Sequence, residues 1–341
     1  MLITADATYT LDPHPTGVAV YSSELLNGMA RAHPETNFLF CYRPHRFLRG
    51  LAQPLRTNVW RWPLFERGPR PGELFHGLNQ RLPARRWPLQ VATFHDLFVM
   101  SHQYSTPEFR ARFTAQARHA AENADRIIAV SRVTALEVER LLGVDPQRIR
   151  VIPHGVYLPR TVSTVRENLV LSVGSIQKRK NTARLVRAFA SMPPGWRLVL
   201  AGGRGYGAEE ALLEVGNSPR RADIEVADHV SAARLAGLYG RAGIFAFPSL
   251  DEGFGMPLLE AMANGVPVVT SNRSSMPEVC GDAALQVDPE SEEELAQALR
   301  TLAGDAALRE TLAGRGLARA REFSWERAVA DTWAVYGELV G

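Results

Sequence analysis

Two glutamates, Glu252 and Glu260, stand eight positions apart in Phe247-Pro-Ser-Leu-Asp-Glu252-Gly-Phe-Gly-Met256-Pro-Leu-Leu-Glu260-Ala-Met-Ala-Asn-Gly265-Val-Pro-Val-Val-Thr270. The segment reads as strand, glycine loop, helix, tight turn and strand. Pro257 suits the first helical position, where its missing N–H costs nothing. The N–H groups of Phe254, Gly255 and Met256 then sit at the positive end of a helix, which suits an anion or sugar hydroxyls. Gly253 and Gly255 let the backbone come close to a ligand. Glu252 precedes the helix and Glu260 lies in its first turns, so both carboxylates can face one ligand from different heights.

A second group is Leu171-Ser-Val-Gly174-Ser-Ile-Gln-Lys178-Arg179-Lys180-Asn181, a strand ending in a glycine turn and a basic cluster. Asn181 has the side chain of a helix N-cap. Of 39 basic residues only Lys178 and Lys180 are lysine; the other 37 are arginine. Two lysines within three residues imply that a lysine is required there. A compact, flexible ammonium makes a point contact with a diphosphate where a planar guanidinium does not fit.

A third group, Thr93-Phe-His95-Asp96, ends a strand, and open α/β sheets bind ligands outside the carboxyl ends of their strands. The glycine turn His14-Pro-Thr16-Gly17, followed by Val-Ala-Val-Tyr21, is by itself no more than a loop before a helix. Asp-x-Asp, His-Glu-x-x-His, Walker A and G-x-S-x-G patterns are all missing from the sequence. Metal-dependent hydrolysis, P-loop chemistry and α/β-hydrolase chemistry therefore lose support.

These groups need strands and helices to hold them. Short β-branched runs alternate with helix-period segments, the pattern of βαβ units and parallel sheets. Strands are expected at 2–5, 37–42, 73–76, 90–94 and 126–130, then at 169–173, 197–201, 244–247 and 266–270. Helices are expected at 18–32, 106–123, 181–191, 232–241, 257–264 and 292–303. The fold class is α/β, with two Rossmann-like domains. Prolines and a glycine at 153–166 mark the join, giving domains at 1–160 and 161–322. A last amphipathic helix at 323–341 offers Trp325, Ala328, Val329, Trp333, Val335 and Tyr336 for packing.

The 341 residues, 45% hydrophobic and 22% charged, are those of a globular chain of about two domains. The two cysteines, Cys41 and Cys280, have no metal-ligand spacing, and a reduced setting is expected. No apolar run approaches a membrane span, and the start lacks a signal-peptide pattern. The net charge of +3 hides an asymmetry, with 20 basic against 13 acidic residues in 1–160 and 19 against 23 in 161–341. Between Arg43 and Arg86 ten arginines face only Glu66 and Glu73, interleaved with Trp60, Trp62 and Trp87. That stretch is either a solvated arginine-rich surface or a contact for an anionic lipid layer or phosphorylated acceptor. No recognition motif accompanies it, so nucleic acid is not expected.

The glutamate segment and its surroundings resemble the E-x7-E motif of retaining family 4 glycosyltransferases (glycosyltransferase group 1), which have the GT-B fold. The resemblance spans nearly the whole chain. It takes in His95-Asp96, Ala124-Asp-Arg-Ile-Ile-Ala-Val-Ser131 and Arg148-Ile-Arg-Val-Ile-Pro-His-Gly155. It continues through Gly174…Arg179-Lys180-Asn181, Ser274-Ser-Met-Pro-Glu278, Gly281-Asp282-Ala-Ala and Phe323-Ser-Trp325-Glu326. It implies two Rossmann-like domains facing a cleft, an acceptor half and a donor half, with the C-terminal helix crossing back to the N-domain.

It also implies that Glu252 binds donor-sugar hydroxyls with Gly253, Phe254, Gly255 and Met256 alongside, and that Glu260 holds the ribose. Lys180, Arg179 and the Gly174 turn would receive the diphosphate, His95 would contact the sugar near the reacting carbon, and Gly17 would lie beside acceptor and phosphate. Ser175 stands where many members carry an arginine, a role expected here of Arg179. No metal or other cofactor is implied, since the nucleotide sugar is a substrate. Arg-Lys-Asn and Ser-Ser-Met-Pro-Glu are similar to bacterial polysaccharide mannosyl- and rhamnosyltransferases. The resemblance thus implies a GDP-linked donor and a saccharide or lipid-linked acceptor; with neither a span nor a signal pattern in the sequence, a place in the cytoplasm or peripheral at the inner membrane face is expected. A UDP-sugar enzyme and an inactive nucleotide-sugar-binding protein are the alternatives.

Overall fold

The computed structural model describes residues 2–12 and 16–341. By its contacts the chain divides into Met1–Gly155 with Ser324–Gly341 and, separately, Val156–Phe323. The expected divisions were after residues 160 and 322.

The first unit carries a parallel sheet of seven strands: β1 (Leu2–Asp6), β2 (Asn37–Tyr42), β3 (Val59–Pro63), β4 (Leu74–Gly77), β5 (Leu89–Phe94), β6 (Arg126–Ala129) and β7 (Ile149–Val151). Their order is β3-β2-β1-β4-β5-β6-β7. Central strands such as Phe38-Leu-Phe-Cys-Tyr42 are apolar throughout because helices cover both faces of a parallel sheet. Phe75, Phe94, Trp87 and Ile127 lie in the core on one side. The helix Trp325–Val340 buries Trp325, Ala328, Val329, Thr332, Val335 and Tyr336, and Ser324 caps it by accepting from the Arg327 N–H. This i, i+3, i+4, i+7 stripe is that of a helix packed on one side. Gly155 makes its entry possible. A Cβ there would lie 2.2 Å from the Trp325 backbone nitrogen.

The second unit has six parallel strands: β8 (Leu169–Val173), β9 (Arg197–Ala201), β10 (Ile224–Ala227), β11 (Ile244–Phe247), β12 (Val268–Ser271) and β13 (Ala284–Val287), in the order β10-β9-β8-β11-β12-β13. Leu198, Leu200, Ile244, Ala246 and Val269 pack under Leu185, Phe189, Leu295 and Leu299 of the covering helices. In both sheets the strand order reverses once, between β1 and β4 and between β8 and β11. Such reversals open the crevice that ligands occupy in this architecture.

All nine expected strands are present. The four without a clear sequence signal are β3, β7, β10 and β13, and each is the edge of its sheet. An edge strand is short and half-solvated, so its apolar pattern is broken; β3 runs buried, exposed, intermediate, exposed, intermediate.

Gly155→Ala should destabilise by about 1–3 kcal/mol, the usual penalty of overpacking, because backbone atoms cannot give way. Gly237, on the helix Ala232–Arg241, has nothing within 4 Å of an added Cβ. Gly237→Ala should instead stabilise by about 0.5–1 kcal/mol. Calorimetric Tm values of the two variants should move in opposite directions.

Candidate active site

Two loops at the carboxyl ends of the neighbouring strands β8 and β11 build the charged centre of the second unit. After β8, Gly174 turns the chain at φ +130, and Lys178–Lys180 form one tight turn. After β11 the loop carries Glu252. The loops are laced by backbone and side chain: the Leu250 N–H donates to the Arg179 carbonyl at 2.8 Å, and Arg179 Nη1 donates to the Asp251 carbonyl at 2.8 Å.

The Glu252 carboxylate lies between both cations. Its Oε2 is 2.8 Å from Arg179 Nη1 and its Oε1 is 2.5 Å from Lys180 Nζ. Lys180 Nζ also sits 4.4 Å over the Phe247 ring, and a Cβ on residue 174 would come within 3.3 Å of Lys180 Cε. Glu252 is only 8% exposed. Burial alone would raise its pKa, but the charges and hydrogen bonds of Arg179 and Lys180 outweigh that and hold the carboxyl below its usual range. The side chain is an anion at neutral pH.

The backbone here is held as firmly. The Glu252 N–H donates to Ser274 Oγ at 3.1 Å, Ser274 Oγ and Ser275 Oγ donate to the Glu252 carbonyl, and Ser275 Oγ also reaches the Phe254 carbonyl at 3.0 Å. Gly253, Phe254 and Gly255 are buried, and Phe254 packs edge-on against Phe323. Gly255 adopts φ +101, where a Cβ would meet Met276 Cε at 2.6 Å. The helix is Met256–Ala263, so Pro257 is its second residue. Glu260 is half-buried on this helix and accepts a 2.8 Å hydrogen bond from the Tyr239 hydroxyl. Burial pushes its carboxyl upward, and the Tyr239 bond opposes that only in part.

Asn181 corrects an expectation. Its side chain does not cap the helix Thr182–Phe189, and its backbone is left-handed at φ 58. The amide instead donates to the carbonyls of Pro248 and Pro289, at 3.0 and 2.6 Å, tying the basic turn to the ends of β11 and β13.

The structure therefore brings Gly174, Arg179, Lys180 and Glu252 together, with Gly253, Phe254, Gly255, Met256 and Glu260 on the adjoining loop and helix. His95 and Gly17 belong to the first unit. Gly17 opens the helix Gly17–Ala32 and is exposed; His14, in the same expected turn, lies outside the described residues. His95 is buried just after β5, its Nε2 2.9 Å from the Leu78 carbonyl. A carbonyl only accepts, so Nε2 carries the proton. Burial lowers the ring's pKa to about 4, which leaves it neutral.

Four supporting residues had no assigned role. Ser274 and Ser275 lay in a noted motif and Phe247 opened the glutamate segment, whereas Tyr239 fell unremarked in the expected helix 232–241. The arginine-rich stretch is mixed. Arg43 is buried and paired with Asp6 and Glu66, and Trp87 is core beneath Arg70. Trp60 and Trp62 on β3 are exposed. Among the described residues no group of three or more His, Cys, Asp or Glu is placed to hold a metal ion, and no helix is long and apolar enough to cross a membrane.

Residues 159–318 match the family model of glycosyl transferases group 1, and residues 72–160 match that of glycosyltransferase family 4. The chain is 33% identical over 281 residues to O-antigen chain mannosyltransferase B of Escherichia coli, covering 77% of this chain and 74% of the relative. It is 34% identical over 288 residues to D-inositol 3-phosphate glycosyltransferase of Actinosynnema mirum, covering 75% and 69%. Among solved structures, sucrose-phosphate synthase of Thermosynechococcus elongatus has the same fold, with TM-score 0.80, 22% identity and 99% and 98% of the chains covered. Anabaena HepE, solved in complex with UDP, follows at TM-score 0.75 and 16% identity, with 99% of each chain covered. The E-x7-E loop, the basic turn and the two parallel sheets thus have a common explanation: the chain belongs to the group 1, or family 4, glycosyltransferases of the GT-B fold.

Proposed function

We propose that the protein moves a mannose-like sugar from a GDP-linked donor to a saccharide or lipid-linked acceptor in polysaccharide biosynthesis, retaining anomeric configuration and requiring no metal. The observation that carries this reading is the pair of cations, Arg179 and Lys180, gathered on Glu252 at the carboxyl ends of β8 and β11. The mannose preference is supported by the similarity to the Escherichia coli O-antigen chain mannosyltransferase.

Breaking the C1–O bond leaves negative charge on the diphosphate, and preorganised cations stabilise that charge as it develops. Without donor, Glu252 pairs with both cations and leaves one net positive charge. The diphosphate takes over Arg179 and Lys180, and the carboxylate turns to hydroxyls of the sugar. Glu260, steadied by Tyr239, takes the ribose hydroxyls. His95, neutral and with Nε2–H held by the Leu78 carbonyl, offers Nδ1 to a sugar hydroxyl. Gly17 lies beside acceptor and phosphate.

A second element of the proposal concerns where the acceptor is met. Leu48, Leu51, Trp60, Trp62 and Phe65 are exposed within eighteen residues, Leu48 by 80%. The exposed Arg49, Arg56 and Arg67 lie among them. Apolar side chains interleaved with guanidinium groups match an anionic bilayer surface, each arginine contributing about 1 kcal/mol.

With GDP-linked mannose as donor, Lys180→Ala should lower kcat by about 10²–10³-fold, the size of a lost oxyanion donor. Normal turnover would remove the diphosphate role. Turnover of UDP-linked donors alone would select the UDP alternative. Absence of turnover, with GDP raising Tm equally in wild type and Glu252→Ala, would select the binding protein.

Excess EDTA should leave the rate unchanged, and a collapse restored by a divalent cation would overturn the metal-free reading. In vesicle sedimentation the protein should bind phosphatidylglycerol-containing liposomes. Joint replacement of Arg49, Arg56 and Arg67 by glutamine should weaken that binding about 100-fold, from three contacts of about 1 kcal/mol each. Unchanged binding would sink the membrane contact.

A further inference from the structure

The first unit holds a buried polar chain that the proposed transfer chemistry does not use. The Tyr336 hydroxyl, on the terminal helix, is 2.7 Å from His76 Nδ1 on β4. His76 Nε2 is 2.8 Å from Thr93 Oγ1 on β5. Thr93 Oγ1 is 2.9 Å from the hydroxyl of Tyr21, on the helix Gly17–Ala32. All four side chains are essentially inaccessible. Each hydroxyl and ring nitrogen in the row is paired with its neighbour, and deleting the Tyr336 or the Thr93 hydroxyl would leave a buried ring nitrogen of His76 unpaired.

The chain ends against His95. The Tyr21 ring meets the His95 ring edge-on, with centroids 4.8 Å apart and planes at 80°. His95 also stacks on His154, with centroids 5.4 Å apart. Tyr21 and Trp325 also contact His154, at 4.9 and 6.1 Å between centroids. The terminal helix therefore reaches the surroundings of His95 twice, through Trp325 at its first residue and through Tyr336 near its end. Pairs of rings set edge-to-face or stacked have preferred geometries. Holding the Tyr21 hydroxyl on Thr93 therefore limits how the His95 ring can turn.

We propose that Tyr336, His76 and Thr93 are positioning residues that orient His95 through Tyr21, so that the terminal helix braces His95. This rests on the reading of His95 as the donor-sugar contact. Burial keeps both His76 and His95 neutral, with pKa values lowered to about 3 and about 4. The row is therefore a chain of neutral hydrogen bonds whose effect is geometric. In this row His76, Thr93 and Tyr21 stand between the Tyr336 hydroxyl and His95, yet loss of that hydroxyl should be felt at His95.

The test uses the full-length enzyme with isotope-labelled histidine. Tyr336→Phe removes one oxygen and should shift the His95 imidazole NMR signals. It should lower kcat roughly five- to fiftyfold, short of the hundredfold that a 1 Å misplacement can cause, with donor KM nearly unchanged. Thr93→Val should do the same, and Thr93→Ser, which keeps the hydroxyl, should restore both. Unmoved His95 signals in a folded Tyr336→Phe and Thr93→Val would overturn the brace, whatever Tm does. So would shifted signals with wild-type kcat in both variants while His95→Ala is inactive. Wild-type kcat in His95→Ala would instead strike down the reading of His95 as sugar contact, and the NMR shifts would still decide whether the terminal helix orients the ring.

Discussion

The second unit is organised around one electrostatic constraint: two cations and one carboxylate share a nearly dry site. Removing one partner from a buried pair is costly because the remaining charge is left without solvent, typically by about 3–5 kcal/mol. Glu252 with Arg179 and Lys180 avoids that penalty and still retains one unit of positive charge. A site that is neutral at rest would have no reason to draw in an anion; one that carried two bare cations would be hard to fold. The surrounding backbone serves the compromise. Gly255 at φ +101 and Ser274 at φ 56 both hold left-handed turns. They bring the Glu252 loop and the serine loop against each other so that the carboxylate is aimed at the basic turn.

The same geometry explains why the two basic residues differ. Arg179 reaches both the Glu252 carboxylate and the Asp251 carbonyl through one nitrogen, Nη1, each at 2.8 Å. Lys180 passes close to the Gly174 backbone and ends over the Phe247 ring. That path suits a slim stem carrying a compact ammonium, and a branched planar head would have to displace the turn or the ring. A chain that otherwise uses arginine has lysine where the space is narrow.

How much of this was legible in the residues depended on whether the signal was local. Interior strands are buried on both faces and show as short, mostly apolar and β-branched runs, so β1, β2, β4 to β6, β8, β9, β11 and β12 were readable. The four edge strands, half in solvent, were not. The charged centre was readable because its parts fall in two short segments whose glycines and lysines are unusual in themselves. Asn181 was misread because a residue suited to an N-cap is equally suited to a left-handed turn, and only the positions of Pro248 and Pro289 decide between them. The row from Tyr336 to Tyr21 was invisible: its ends lie more than 300 residues apart, and nothing local links Tyr21 and Thr93, which fall in two separate motifs, to His76 or to Tyr336. Arg43 was hidden for the same reason, since its partner Asp6 lies 37 residues earlier, on β1.

The two units repeat one strand order and equip it in opposite ways. In the second, ions are concentrated at the strand ends; in the first, His76, His95 and His154 are buried and kept neutral, desolvation being the first cause in each. On the proposed reading these opposite choices answer opposite charges. The departing diphosphate gains negative charge and calls for Arg179 and Lys180. The sugar carbon gains positive charge as its bond breaks, and an imidazolium beside it would raise the barrier by repulsion. Solvent exposure would let His95 titrate near neutrality, whereas burial removes the cation from the pH range in which the enzyme works. A neutral ring can still accept a hydrogen bond from a hydroxyl, but having little charge to hold it in place it must be positioned by packing. That is a physical reason for a histidine in this position to pack against the rings of Tyr21 and His154.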